Sequence, residues 1–467
     1  MFSPEHNRYI LLQNPTDHWT LDKKALLVVG CLILPITMFC ATYMILFGIY
    51  EKLLYPKQSL SSFSSSIVLE KDLHRASVYG GYERRNNYTE IQRTPHQALD
   101  VSIFRLVCYY NFPSNAQSLQ VNDIDPNLCT HLNLAFGSVI NNSIYLSDAD
   151  LPYVRQAVKL KAVNKNLKVL ISIGGAYNDR GFPEMVLNHT NRKTFIKSVI
   201  GFAKTYGIDG VDLDWEFPGE EPVADKHQRQ HFTQLLHELR RAVARHTNMA
   251  LLITLAVAAP VQIVDTSYDV SYVNDYVDYI NLMSYDYHHY TRLTPFTGIN
   301  SPLYASSLEK YYLATMNINY SSHYWNSLGM DKSKIVIGLP TYGHTFRLMN
   351  PRNEGPYAPA SGVGKLGTLG FASYPQVCSF LLSNRITPVF DMETLSPYAS
   401  KYYEWVSFDD EQSLTYKAEF VRNNNFGGAM IYCLNMDDFK GACKMGSGRK
   451  FPLVSAVRQA LDGQAGA

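Results

Sequence analysis

The chain has 467 residues, 46% of them hydrophobic, and a formal net charge of +1. That length exceeds one small domain and allows a large core. The near-neutral balance leaves no electrostatic footprint for nucleic acid, so no nucleic-acid partner is expected.

Residues 1–24 form a polar head, read as a cytosolic tail. Ala25 to Ile49, ALLVVGCLILPITMFCATYMILFGI, is 25 residues without a charge. That is enough to cross a hydrocarbon layer roughly 30 Å thick. A cleavable signal would have an apolar region of about 7–15 residues ending at a small-residue site. An uncleaved signal-anchor fits better. Arg8, Lys23 and Lys24 precede the span and Lys52 and Lys57 follow it, a thin positive-inside bias. Sequons at Asn87, Asn141, Asn188 and Asn319, candidate glycosylation sites, all lie beyond it. The expected topology is single-pass type II, with the long C-terminal part lumenal or extracellular. Residues 50–104, with the run SLSSFSSS, have little periodicity and read as a stalk.

From Phe104 onward, short β-branched or aromatic runs alternate with segments of helical spacing. The runs are FRLVCYY, HLNLAFGSV, KVLISIGG, GVDLDWE, ALLITLAVAA, YINLMSYD, IVIGLPTYG and GAMIYCLN. RKTFIKSVIGFAKTYG, for example, puts Phe195, Val199, Phe202 and Ala203 on one helical face. Eight such strands separated by helices predict an α/β fold of parallel strands, a (β/α)8 barrel, with an open doubly wound sheet as the alternative. The stretch 344–410, rich in Pro, Gly and Tyr, is too long for a structureless loop and reads as an insertion with its own structure. Gly174-Gly175 lacks a phosphate-loop pattern and fits close packing at a strand end.

The fourth run, DGVDLDWEFPG, carries the chemistry. Val211, Leu213, Trp215 and Phe217 alternate with Asp212, Asp214 and Glu216, so three carboxylates share one face of a strand. A solvated acidic face fits poorly, because parallel strands under helices are buried on both faces. A divalent metal site of the DxD type, as in lumenal glycosyltransferases, is one reading. Acid–base chemistry is another: carboxylates so close share protons, and a raised pKa on Glu216 makes a proton donor for glycosidic cleavage. A carbohydrate-binding site on an inactive scaffold is a third. His288 and His289 follow MSYDY; adjacent histidines point apart and no metal signature surrounds them, so they read as loop residues. Two of the seven Cys fall inside the span, leaving Cys108, Cys129, Cys378, Cys433 and Cys443. Such an odd set implies two bridges and one leftover thiol, or an intermolecular bond, and no CxxC pair suggests a metal ribbon.

DGVDLDWEFPG resembles the DxxDxDxE signature of family 18 glycoside hydrolases, the chitinases and chitinase-like lectins. CYYNFPSNAQ, LCTHLNLAFG, LISIGG, MSYD, GLPTYGH and FGGAMIYCLNMDDF are similar to the same family in the same order. The resemblance covers about 105–461. It implies a (β/α)8 barrel with an α+β insertion after the seventh strand, as in the animal subgroup, and no metal or organic cofactor. By resemblance, Glu216 is the general acid and then the base, and the substrate's own 2-acetamido oxygen is the nucleophile. Asp214 would orient that group, Asp212 would share a proton with Asp214, and Tyr285 would hydrogen-bond the acetamido carbonyl. Asp209, Met283, Asp286 and Tyr342 would belong to the substrate-binding set. The subgroup's disulfides would be Cys108–Cys129 and Cys378–Cys443, leaving Cys433 free.

The sequence departs from the family at its stacking aromatics. Tyr432 stands where Trp is usual on the last strand, Ala176-Tyr177 follow the glycines in place of GGW, and Phe112 takes the first-strand position. Each smaller ring loses about 1 kcal/mol of stacking. The expected partners are therefore chitin-type chains, short N-acetylglucosamine oligomers above all. The expected activity is retaining cleavage of their β-1,4 bonds. An inactive chitooligosaccharide-binding lectin is the alternative, and a metal-dependent glycosyltransferase the third reading.

Overall fold

The computed structural model describes residues 104–220, 227–246, 250–444 and 448–463. The predicted tail, signal-anchor and nearly all of the stalk, with the sequon at Asn87, lie outside them. Among the described residues no helix is long and apolar enough to cross a membrane.

The eight sequence runs form eight parallel strands: β1 (Arg105–Asn111), β2 (His131–Ile140), β3 (Lys168–Gly174), β4 (Gly210–Asp214), β5 (Leu252–Ala258), β6 (Tyr279–Met283), β7 (Ile335–Pro340) and β8 (Gly428–Tyr432). Each pairs with the next, and β8 returns to β1 with Arg105 opposite Gly428, so the sheet closes. This is a (β/α)8 barrel, and the open-sheet alternative falls. The strands read as unbroken apolar runs because helices cover their outer faces and side chains fill the inside. All five residues of β4 are buried, acids included.

Helices follow most strands, among them His189–Tyr206 after β3 and Gln228–Ala244 after β4. Asn188 caps the former by accepting from the Asn191 amide, and Gly207 ends it at φ 70°, a conformation that favours glycine. Phe195, Val199 and Ala203 are buried on its inner face as the spacing predicts, with Phe202 half-buried. The first crossover has no α-helix, only a 3₁₀ turn at Val121–Asp123. A Cys108–Cys129 disulfide spans that connection.

The insertion between β7 and β8 is an antiparallel sheet carrying the helix Tyr374–Asn384. Its central strand is Tyr342–Leu348, so it begins before the predicted boundary at 344, and its last strand is Glu404–Ser407. The second disulfide, Cys378–Cys443, ties that helix to the segment after β8. Cys433 is free and buried. Both pairings match those the resemblance implied.

Candidate active site

Asp212 lies at the centre of a polar layer inside the barrel. Ser172 and Thr254 stand directly beside it on the neighbouring strands. Its Oδ2 accepts from Tyr109 at 2.6 Å and Ser172 at 2.7 Å. Its Oδ1 accepts from Thr254 at 2.6 Å and from the Asn281 amide at 3.1 Å. Burial raises the carboxyl of Asp212, and the four donors work against that rise. With both oxygens doubly bonded, Asp212 has no lone pair left for a metal ion. The DxD metal reading loses its support.

Asp214 is the next inward-facing residue toward the strand's carboxyl end. Its Oδ1 is buried with no hydrogen-bond partner among the described residues. Burial, then the charges of Glu216 and Asp212, push it well above the ordinary carboxylate range. Glu216 follows at the barrel mouth, raised from 4.5 to about 7 by burial and then by Asp286, Asp179 and Glu220. Three carboxyl groups in one line thus hold fewer than three charges near neutral pH. The four donors to Asp212 offset part of the rise that burial imposes, whereas Asp214, with its unpartnered oxygen, and Glu216 are held further toward the protonated form.

The pair of glycines before this strand has a steric reason. At Gly174 (φ 110°), a Cβ would lie 2.0 Å from the Asp214 carbonyl oxygen. At Gly175 (φ 87°), it would press on the Phe136 ring at 3.0 Å. Only glycine lets β3 end this close to the acidic strand.

Glu216 and Asp214 line a cleft of about 890 Å³, together with Ala176, Met283, Tyr285, Asp286, Tyr342 and Tyr432. Tyr285 stacks on Tyr432 at 5.8 Å between centroids and meets Tyr342 edge-on at 6.1 Å. Asp286 Oδ1 accepts from Tyr342 at 2.6 Å and lies 2.7 Å from His344 Nε2. Burial would raise Asp286, but His344 and Tyr342 outweigh it and hold the carboxyl below its usual range. It is therefore an anion whose charge helps Glu216 retain its proton. His288 and His289 also line the cleft, with their Nδ1 atoms 3.0 Å from the Ile299 carbonyl and 3.3 Å from the Asp286 carbonyl. Among the described residues no group of three His, Cys, Asp or Glu could hold a metal ion.

Three predicted substrate-binding residues lie elsewhere. Asp209 is at the amino-terminal end of the barrel, where it pairs with Lys161 at 2.8 Å and accepts from the Val169 amide. It braces β3 against β4, away from the cleft. Phe112 stacks on Tyr153 and lines a separate groove with Asn435 and Phe439. Tyr177 is 97% exposed at φ 64° and does not line the cleft. Of the sequons, Asn141 and Asn188 are exposed, and Asn319 is half-buried in the first turn of a helix. Sequence reasoning missed Tyr109, Ser172, Thr254, Asn281 and His344. Ser172, Thr254 and Asn281 are single polar residues within apolar runs, a signal present in the sequence, whereas Tyr109 is masked by its neighbours Tyr110 and Asn111.

A closed barrel with an acidic strand ending at its mouth defines a glycosidase-like scaffold. Residues 105–437 match Glycosyl hydrolases family 18, and the chain belongs to that family. It is 38% identical to human chitinase-3-like protein 2 over 77% of this chain and 93% of that protein. It is 36% identical to mouse chitotriosidase-1, over 77% and 79% respectively. Among solved structures, human YKL-39, described as a pseudo-chitinase with retained chitooligosaccharide binding, aligns at TM-score 0.71 and 36% identity, over 77% of this chain and all of that one. The group IV chitinase of Ostrinia furnacalis, solved with allosamidin, aligns at TM-score 0.72 and 33% identity, over 78% of this chain and all of that one.

Proposed function

We propose that this protein is a chitinase-type hydrolase cleaving β-1,4 bonds of N-acetylglucosamine oligomers with retention of configuration. The observation that carries the reading is Glu216, raised to about 7 at the wall of the cleft and backed by two further acids. Near neutral pH about half of the molecules therefore still hold a proton on Glu216 to give to the glycosidic oxygen as the C1–O bond breaks. The substrate's 2-acetamido oxygen attacks C1 from the other face. Asp214 accepts the amide N–H through its unpartnered Oδ1, and Tyr285 donates to the amide oxygen. Water then opens the cyclic intermediate, with the Glu216 carboxylate taking its proton. NMR of the first product formed tests this. The β-anomer is expected, and initial release of the α-anomer would overturn the retaining scheme.

One observation favours a second reading, a chitooligosaccharide-binding lectin. The three described tryptophans, Trp215, Trp325 and Trp405, are all in the core. Tyr432 and Ala176 stand in the cleft where the family's Trp residues are expected. Oligosaccharide binding without product release would establish the lectin.

We further infer that residues 25–49 anchor the protein with the barrel on the non-cytosolic side, on the strength of that uncharged run. Protease added outside sealed vesicles of defined orientation tests it. Digestion of the barrel from the cytosolic face would sink the topology.

A further inference from the structure

Around and beneath Asp212, the barrel interior holds polar atoms that nothing among the described residues satisfies. Asn133 is fully buried, and neither its Nδ2 nor its Oδ1 has a partner. It stands directly opposite Tyr109 in the β1–β2 register, so it points into the barrel as Tyr109 does. Tyr279, on the same face of β6 as Asn281, has an unpartnered hydroxyl. The Thr254 hydroxyl stands beside it on β5, but the Thr254 proton goes to Asp212 Oδ1 at 2.6 Å. Asn281 gives its Nδ2 to Asp212 and, at 3.3 Å, to the Tyr109 hydroxyl, which leaves its Oδ1 without a donor. Unpaired polar atoms this deep are costly, and native folds satisfy nearly all of them.

The three side chains meet in one place. Tyr109 neighbours Asn133 in register and Asn281 by hydrogen bond. The Tyr279 ring reaches across the barrel to β2, where it meets His131 edge-on at 5.5 Å between centroids. His131 and Asn133 lie on the same face of β2. The unpaired atoms also match water. Asn133 Nδ2 and the Tyr279 hydroxyl donate, Asn133 Oδ1 and Asn281 Oδ1 accept, and a water molecule does both. An entry route is present, because Tyr279 and His131 also line a cavity of about 1150 Å³ at the amino-terminal end of the barrel.

We propose that the barrel binds water between Asn133, Tyr279 and Asn281, and that Asn133 and Tyr279 are positioning residues acting through it on the Asn281–Asp212 hydrogen bond. Water donating to Asn281 Oδ1 keeps the amide turned with its Nδ2 toward Asp212, where it favours the carboxylate. Without that donor the amide is free to turn its oxygen on Asp212, which raises the proton affinity of the Asp212–Asp214 pair. The other titratable groups facing Asp212 are Tyr109 and Tyr279, both held well above the usual tyrosine range by burial and so neutral. The consequence for catalysis rests on the hydrolase reading above; the water site does not. As the acetamido oxygen attacks C1, positive charge grows on that group, so Asp212 and Asp214 must not both be protonated. The acidic limb of the pH profile therefore reports this pair, and the alkaline limb reports Glu216.

The test uses the full-length protein and two substitutions. Asn133→Leu keeps the size of the side chain and removes its polar atoms, and Tyr279→Phe removes only the hydroxyl. Either change should move the acidic limb of kcat/KM up by about one pH unit, the size of one hydrogen bond to a charged group, and leave the alkaline limb in place. The double variant should move it no further, because each single change already breaks the bridge. A uniform loss of activity with the acidic limb unmoved, or two shifts that add, would overturn the positioning role. A crystal structure of the wild type, at a resolution that shows ordered water, tests the site separately. Density within hydrogen-bond distance of at least two of Asn133, Tyr279 and Asn281 is expected. A dry interior, or Asn133 bonded directly to Tyr279, would overturn the proposal. If the wild type hydrolyses nothing, the hydrolase reading falls and that density alone decides the water site.

Discussion

Glu216→Gln should stabilise the protein at alkaline pH. The Glu216 carboxyl is raised from 4.5 to about 7 in the fold, chiefly by burial. A folded acid with a raised pKa holds its proton more tightly than the unfolded chain does. Stability is therefore greatest below about pH 4.5 and falls as pH rises through about 7. At about 1.4 kcal/mol per pH unit, that gap sets a ceiling of about 3 kcal/mol on the cost of folding around the ionised group. Glutamine has the same shape and no charge, so it removes the penalty. Urea unfolding of both forms should show Glu216→Gln ahead by less than about 1 kcal/mol at pH 5 and by about 3 kcal/mol at pH 8. An advantage that does not change between these two pH values would refute the argument that Glu216 is protonated in the fold. In activity, the acid must carry its proton, so kcat/KM should fall about tenfold per pH unit above neutral.

Tyr109→Phe removes one of the two donors to Asp212 Oδ2 and should cost about 1–3 kcal/mol in urea unfolding. An unchanged midpoint would show that the polar layer inside the barrel contributes nothing to stability. Replacing Cys378 and Cys443 by Ser opens a loop with a sequence separation of 65, against 21 for Cys108 and Cys129. By chain entropy the losses are about 4 and about 3 kcal/mol respectively, so the longer loop should lower the unfolding midpoint more. The reverse order would place the stabilisation in local strain or solvation.

The eight strands were legible because burial on both faces leaves uninterrupted apolar runs, and the acids of DGVDLDWEFPG were legible because period two aligns them. Asp209 shows the limit of reading by adjacency. At about 3.3 Å per strand residue it lies roughly 16 Å from Asp214, at the other end of the barrel. A shared signature is not a shared site. The partners of Asp212 were visible one by one as polar interruptions in ISIG, ITLAV and INLM. Which of them face one another depends on register and closure, which no single strand encodes. Phe112 and Tyr177 lie outside the lining around Glu216 for a related reason. Each lies just past a strand end, where the chain turns and alternation no longer says where a side chain points. The part of the cleft lined by Leu293, Phe296, Leu313 and Met316 comes from a long connection with no periodicity, so its shared lining appears only in the folded chain.

The most direct test is hydrolysis of a chromogenic chitotriose analogue by the full-length protein beside its Glu216→Gln form, with chitotriose affinity measured for both. Release by the wild type alone, with affinity retained in the variant, is the predicted result. Equal release by the two forms would contradict Glu216 as the acid. Binding with no release from either would make the protein a lectin that keeps its acidic strand.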